Sequence, residues 1–119
     1  MFAFTGTPSH STGSHITTFV GETAYLQCGN AETVINQVDW IHQPSSDDRD
    51  YFIVSAGHLT NGNFEGRLNI SGTTLIINNV ERGDSGVYSC VEDARVRRRH
   101  RVDLIVQGYS TKLLMIYQR

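Results

Sequence analysis

Apolar side chains recur at every second position in several segments, and this alternation constrains the fold more than any other feature of the chain. The alternating segments are residues 24–28, 38–42, 68–70, 75–77 and 102–106. Period-two patterning is the signature of strands that are buried on one side. Turn-rich stretches such as 43–48 and 82–86 separate these segments, as loops between strands require. Because no 11-residue window carries an apolar stripe at helical spacing, the sequence predicts an all-β sandwich or barrel.

Size and charge exclude several classes of protein. The 119 residues fit a single domain. The net charge of −2 gives no general attraction to nucleic acid, so we expect no nucleic-acid partner. No apolar run approaches the roughly 20 residues that span a bilayer, so membrane attachment would need a segment absent from this chain. Residues 1–4 lack the basic start and apolar stretch of a secretory signal, which predicts a cytosolic protein or a mature fragment whose signal has been removed.

The two ends differ from the alternating region. Residues 1–13 are small, polar and aperiodic, and we expect a flexible N-terminal tail that leads into a first strand near 15–20. The domain itself is predicted to occupy residues 14–107. For the C-terminal extension 108–119, the alternatives are an additional strand, a stalk or residues left from cloning.

The two cysteines are open to three interpretations: free thiols, a metal pair or one disulfide. Cys28 and Cys90 are 62 positions apart and have no nearby Cys/His cluster, so the ligand spacing of a zinc site is absent. A bridge would close a long loop and contribute roughly 4 kcal/mol in the chain-entropy model. Spacing alone does not decide between these alternatives.

The residues around the cysteines form a specific constellation. Trp40 follows Cys28 by 12 positions, and Cys90 ends the run Asp-Ser-Gly-Val-Tyr-Ser-Cys that starts at Asp84. Arg67 precedes Asp84 by 17 positions, at the start of a predicted strand. Over residues 15–107 the chain resembles the V-set of the immunoglobulin superfamily.

The resemblance implies a two-sheet antiparallel Greek-key sandwich with one inter-sheet disulfide. Cys28 and Cys90 would join strands B and F, and Trp40 would pack on the bridge from strand C. A disulfide implies an oxidising compartment, hence an extracellular protein that is secreted or at the cell surface.

Three further residues take family roles by the same resemblance. Tyr88 would form the tyrosine corner, with its hydroxyl bonded to the E–F turn. Asp84 would pair with Arg67 across the bottom of the sandwich. The 44 positions from Trp40 to Asp84 leave room for strands C′ (51–56) and C″ (58–60), which favours the nine-stranded variable type.

One departure from antigen-receptor variable domains is informative. Those domains carry Phe-Gly-x-Gly at the start of strand G, where this chain has Arg98-Arg99-His100-Arg101. A bulge at this position needs a residue in the left-handed backbone conformation, and without these glycines the residue that adopts it with least strain is missing. A germline-encoded V-set protein is therefore expected, rather than one with a rearranged joining segment.

An arginine-rich segment dominates the charge distribution. It contains five of the ten Lys and Arg residues and would occupy the FG turn and the start of strand G. The candidate ligand-binding residues are Arg95, Arg97, Arg98, Arg99, His100 and Arg101. An acidic glycan or acidic protein surface would neutralise them; alternatively, they form a solvated loop balanced by Glu92, Asp93 and Asp103.

An acidic C–C′ turn would lie on the same sheet as the basic segment. Opposite charges at the two ends of one GFCC′ sheet could pair across a two-fold axis, and apolar residues between them would form a modest contact patch. The interface candidates are Ile41, Gln43, Asp47, Asp48, Asp50 and Val91. Gln43 matches the glutamine that variable-domain dimers use across their interface. These residues could also be ordinary exposed side chains.

Two short motifs in the chain match known recognition signals. The Arg-Gly-Asp run at 82–84 matches an integrin-recognition motif, but an Asp84 held by Arg67 would not be free to coordinate a metal ion. Asn69-Ile70-Ser71 is the single N-glycosylation sequon, and alternation places Asn69 towards solvent.

No catalytic pattern is present. The sequence contains no nucleophile elbow, P-loop or dinucleotide fingerprint, and its five histidines lack metal-ligand spacing. We expect no enzyme activity, no cofactor and no metal. The leading prediction is an adhesion or immune-type recognition module that binds a protein, including a second copy of itself, through the GFCC′ face and FG loop. The alternative is a secreted innate recognition domain that captures a polyanion through the arginine-rich loop.

Overall fold

The alternating segments form strands in the computed structural model, which describes residues 12–29, 38–47, 49–60, 64–91 and 99–108. These residues contain nine strands and no α-helix. The strands are β1 (Thr12–Phe19), β2 (Ala24–Leu26), β3 (Asp39–Pro44), β4 (Tyr51–Ser55), β5 (His58–Leu59), β6 (Leu68–Ser71), β7 (Thr74–Ile77), β8 (Gly86–Val91) and β9 (Arg99–Gln107). A 3₁₀ turn at Arg82–Asp84 lies between β7 and β8.

The strands form two sheets that face each other across one core. The larger sheet has the order β1-β9-β8-β3-β4-β5, and the smaller has the order β2-β7-β6. Neighbouring strands are antiparallel, except that β1 runs parallel to β9. The predicted all-β sandwich of variable type is confirmed. In the family's lettering, β3, β4, β8 and β9 are strands C, C′, F and G.

The strand bounds differ slightly from the predicted ones. β1 begins at Thr12, so two residues of the expected N-terminal tail belong to the sheet. β4 and β5 occupy the places expected for C′ and C″, each one residue shorter at its end. β2 ends at Leu26, and Cys28 lies just beyond it. The expected C-terminal extension lies outside the described residues, apart from Gly108.

The core contains the predicted disulfide. Cys28 and Cys90 are bonded with their Cα atoms 5.6 Å apart. Trp40 pairs with Cys90 in the register of β3 and β8 and is fully buried in the same cluster. Its indole N–H donates to the carbonyl of Thr73 at 3.2 Å, because a buried donor must find an acceptor. The cluster therefore ties the two sheets together at their centre.

The bottom of the sandwich is closed by an ion pair. Arg67 donates to both carboxylate oxygens of Asp84, at 2.6 and 2.9 Å. The backbone N–H of Glu81 donates to the same carboxylate at 2.8 Å. The Tyr88 hydroxyl donates to the carbonyl of Asp84, which is the geometry of a tyrosine corner.

Gly86 is required by the close approach of β3. Its φ is +147°, and a Cβ at this position would collide with the carbonyl oxygen of Gln43 and lie 2.9 Å from the Cα of Pro44. A residue with a side chain therefore fits neither the backbone conformation nor the space. This explains why the Asp-x-Gly-x-Tyr-x-Cys run carries a glycine at its third position.

Candidate protein-interaction face

The outer side of strands β3, β4, β8 and β9 forms one continuous surface, the GFCC′ face. Because paired residues of antiparallel strands lie on the same side of a sheet, the inward pair of Trp40 and Cys90 assigns the alternate positions to the outside. The outward residues are Asp39, Ile41, Gln43, Phe52, Val87, Ser89, Val91, Arg99, Arg101, Asp103 and Ile105.

A shallow depression of about 490 Å³ lies on this face. Uncharged side chains line its centre, and charged side chains line two of its sides. Arg99 and Arg101 of β9 bound one side, and Asp50 just before β4 bounds the other. The central residues are Ile41, Gln43, Val87 and Ser89. The depression therefore combines an uncharged middle with opposite charges on its two sides.

Phe52 is the large apolar side chain that sequence reasoning missed. It is 54% exposed and pairs with Ile41 across β3 and β4. The register shifts at this point, since Trp40 pairs with Val54 and Ile53 has no opposite residue. This bulge buries both Ile53 and Val54 and leaves Phe52 outside. Alternation in residues 51–54 does not reveal such a shift.

Ile41 lies on the outer face, as expected, but it contributes little accessible surface. It is only 7% exposed, whereas Gln43, two residues further along the same face of β3, is exposed. The expectation of an exposed apolar contact at Ile41 is corrected accordingly. Phe52, on the next strand, supplies that exposed surface instead.

The basic residues divide between the two sides of β9. Arg99 and Arg101 point outward, and both are exposed. Arg101 donates to Asp103 at 3.1 Å, and His15 lies 3.4 Å from the same carboxylate. Arg95, Arg97 and Arg98 lie outside the described residues.

His100 is a correction to the predicted ligand-binding set. It points to the inner side of β9, opposite Cys90, and is 7% exposed. Its ring lies so close to Gly29 that a Cβ there would be 2.7 Å from the imidazole. Alternation along β9 places it in the interior, where a ligand on the GFCC′ face does not reach it.

One carboxylate of the acidic turn makes hydrogen bonds within the turn itself. The Asp47 carboxylate accepts a hydrogen bond from the Tyr51 hydroxyl at 2.6 Å and one from the backbone N–H of Arg49 at 3.1 Å. The bond from Tyr51 raises the pKa of that phenol. Asp47 therefore holds the turn together, a role not expected for an interface residue. Asp50 is exposed at the edge of the depression, and Asp48 lies outside the described residues.

The remaining interface candidates line the same face. Gln43 is exposed and borders the depression. Val91 is half-buried and lies between Asp39 and Arg99 in the strand register. The Asp39 carboxylate accepts the backbone N–H of Ala56 at 2.7 Å, which fixes one end of the face.

The two short motifs have different environments. Asp84 of the Arg-Gly-Asp run is 4% exposed and bound to Arg67, so its carboxylate is not available to an external metal ion. Asn69 is exposed on β6. Over the described ranges, no group of three or more potential ligands could hold a metal ion. In the same part of the chain, no helix has the length and apolar character needed to cross a membrane.

Comparison with known proteins agrees with this architecture. The sequence model of the family described as the immunoglobulin V-set domain matches residues 12–107. The rabbit (Oryctolagus cuniculus) protein Ig kappa chain V region 3368 is 29% identical over 85 residues, which cover 69% of this chain and 77% of that protein. The first Ig domain of the mouse polymeric immunoglobulin receptor superposes with a TM-score of 0.64 at 18% identity, and the match covers 81% of this chain and 91% of that one.

V-set domains are typically non-enzymatic binding modules of extracellular or cell-surface proteins. The disulfide, the tyrosine corner and the Arg67–Asp84 pair are present in the structure. Since the family model spans most of the chain, this protein belongs to the immunoglobulin V-set family.

Proposed function

We propose that this domain is an extracellular recognition module, secreted or at the cell surface, that binds a protein through the GFCC′ face. The observation that carries the proposal is the exposed Phe52 beside a depression with opposite charges on its two sides. Exposed aromatic residues with polar surroundings are typical of the energetic centre of a protein interface. The charges would determine which partner is accepted.

The charge arrangement favours a second copy of the same chain as the partner. Arg99 and Arg101 on β9 are separated from Asp50 beside β4 by two intervening strands, a distance of about 14 Å at the usual strand spacing. In a face-to-face dimer whose two-fold axis lies in the interface plane and runs along the strands, each copy presents its basic side to the acidic side of the other. The same ion pair then forms twice, once beside the Phe52 ring of each copy.

Sedimentation of the purified domain over a range of concentrations tests this proposal. Phe52→Ser should weaken self-association at least about tenfold, since removing a buried aromatic residue costs more than about 1.4 kcal/mol. Tyr25→Ser is the matched control, because Tyr25 is an aromatic residue of similar exposure, 60% against 54% for Phe52, but lies on the other sheet. A wild-type chain that stays monomeric at high concentration contradicts the homophilic form of the proposal.

Charge reversal distinguishes a symmetric contact from a general loss of binding. Asp50→Arg and Arg99→Asp should each prevent self-association, because like charges then face each other twice. A mixture of the two variants should associate, since both contacts in the mixed dimer are again between Arg and Asp. If the mixture stays monomeric while the wild type dimerises, the assigned pairing is wrong.

Polyanion capture is the alternative function. Arg99 and Arg101 extend to solvent from the same side of β9, and an acidic glycan or acidic protein could bridge them. Binding through several arginines weakens steeply as salt rises, whereas contact through Phe52 is less sensitive. A sulfated glycan such as heparin is a direct probe of this alternative. The alternative is favoured if a triple variant, with Arg97, Arg98 and Arg99 changed to Ala, no longer binds heparin while the Phe52→Ser variant still does.

A further inference from the structure

The outer side of the three-stranded sheet carries its own apolar surface. Tyr25 of β2 pairs with Ile76 of β7, and Ile76 pairs with Asn69 of β6. The three side chains therefore form one row across the sheet, on the side opposite the core. Tyr25 is 60% exposed, Ile76 is partly exposed and Asn69 is exposed.

Asn69 stands at the edge of this row and in a sequon. β6 is an edge strand of its sheet, so no strand is hydrogen-bonded to it on the side away from β7. The side-chain oxygen of Asn69 accepts the backbone N–H of Ile70 at 2.8 Å. This holds the carboxamide through its oxygen, and the amide nitrogen has no hydrogen bond to the described residues. Ser71, the third sequon residue, is also exposed.

We propose that Asn69 carries an N-linked glycan whose first sugars cover Ile76 and Tyr25. In the modification, the side-chain nitrogen of Asn69 forms a bond to the anomeric carbon of an oligosaccharide that is supplied on a lipid pyrophosphate. The bond from that carbon to the pyrophosphate breaks, the lipid pyrophosphate leaves with the electron pair, and the amide nitrogen loses one proton.

The row has the dimensions and chemistry to receive the sugars. Tyr25 lies two strands away from Asn69, about 10 Å at the usual strand spacing, which two linked sugars can cover. An aromatic ring offers a flat apolar face, and pyranose rings present C–H groups on one side. Exposed apolar surface that no partner covers favours association between proteins. A bulky hydrophilic glycan over that surface would shield it from such contacts. The GFCC′ face, on the other sheet, stays open for protein binding.

The experiment uses the full chain, secreted from a eukaryotic host behind an added leader. Intact mass is measured before and after treatment with a peptide:N-glycanase, which releases the glycan and converts Asn69 to Asp. Ser71→Ala should lack the glycan, and Ser71→Thr is the control that preserves the sequon. A secreted wild-type chain with the unmodified mass overturns the proposal.

Hydroxyl-radical footprinting tests the covering of Tyr25. Oxidation of Tyr25 should rise several-fold when the glycan is removed enzymatically. Phe52, exposed to a similar extent on the opposite face, should be oxidised at the same rate in both forms. A glycosylated chain in which the Tyr25 rate does not change on glycan removal overturns the covering of the row. Enzymatic removal makes this comparison independent of whether the Ser71 variants fold.

Discussion

Removal of the Asp84 carboxylate should destabilise the domain severely without any change in its apolar core. In the Asp84→Ala variant, Arg67 loses two charge-assisted hydrogen bonds, at 2.6 and 2.9 Å. The backbone N–H of Glu81 loses its acceptor at 2.8 Å. The Arg67 side chain is only 13% exposed, so its charge would remain largely buried without its main partner.

The expected loss in the free energy of unfolding is about 3 kcal/mol. Breaking a buried ion pair by removing one partner costs about 3–5 kcal/mol. The lower end applies because the Glu81 carboxylate lies 3.7 Å from Arg67 and would remain close to its charge. Against a total stability of about 5–15 kcal/mol, this is a large fraction. It would move the urea midpoint by about 1–3 M at an m-value of about 1–3 kcal/mol/M.

A double-mutant cycle separates the ion pair from other effects. Asp84→Ala, Arg67→Met and the double variant are unfolded in urea with the disulfide intact, and the m-values are compared to verify two-state behaviour. Arg67→Met keeps the contact of the side-chain stem with the core while it removes the charge. Since the double variant leaves no unpaired buried charge, it should be more stable than the sum of the two single losses predicts, by about 2 kcal/mol.

Additive losses would refute this reasoning. If the two single changes simply sum, the pair is not energetically coupled, and its short distances do not reflect a stabilising interaction. A loss below about 1 kcal/mol for Asp84→Ala would place the pair in the class of exposed salt bridges. That result would contradict the burial of both side chains in the structure.

Three further predictions concern the core. Gly86→Ala should destabilise the fold by about 2–4 kcal/mol, because the new Cβ collides with the carbonyl of Gln43. Gly83→Ala is the control, because Gly83 is exposed and a Cβ there meets no neighbouring atom. Equal urea midpoints for the Gly86→Ala and Gly83→Ala variants would contradict this prediction. Burial lowers the pKa of His42 in the folded protein, so the unfolded chain binds a proton more readily. The free energy of unfolding should therefore fall as pH drops below about 6.5, by at most about 1.4 kcal/mol per pH unit. This fall should level off once the pH is below the folded-state pKa. His42→Phe should flatten this part of the stability–pH curve, and an unchanged curve would assign the dependence to other groups. Replacing Cys28 and Cys90 together by Ala should cost about 2–5 kcal/mol in thermal or urea unfolding, and a double variant as stable as the oxidised wild type would show that the bridge contributes little.

The signature residues could be predicted from sequence because their roles are local or pairwise. Period-two alternation indicated which side of each strand is buried, and the spacing of Cys28, Trp40 and Cys90 matched a known family. The structure places these three in one core cluster. Gly86 is part of the same motif, but its reason appeared only with the approach of β3. Such a contact between segments far apart in sequence leaves no local trace.

The candidate interface was predicted less completely. The sequence predicted a contact face on the GFCC′ sheet and named Gln43 and Asp50, and both of these residues border the depression on that sheet. Sequence reasoning counted His100 with the ligand-binding arginines because the alternation of strand G was not applied to the basic run. β9 begins at Arg99, and alternation along it turns His100 inward. Sequence reasoning also assigned Asp47 to the interface, whereas that carboxylate binds Tyr51 within its own turn.

The sequence by itself determined the class of fold, because strand alternation is written along the chain. The motif around Cys28 and Cys90 pointed to the family, and the pairing of the two cysteines followed from that resemblance. Tertiary structure alone decided which apolar residue faces outward. The bulge opposite Trp40 leaves Ile53 unpaired and turns Phe52 to the surface, while Ile41, which is paired with Phe52 on the same face, is only 7% exposed. These outcomes depend on the register between strands, which hydrogen bonding across the sheet sets and no single strand encodes.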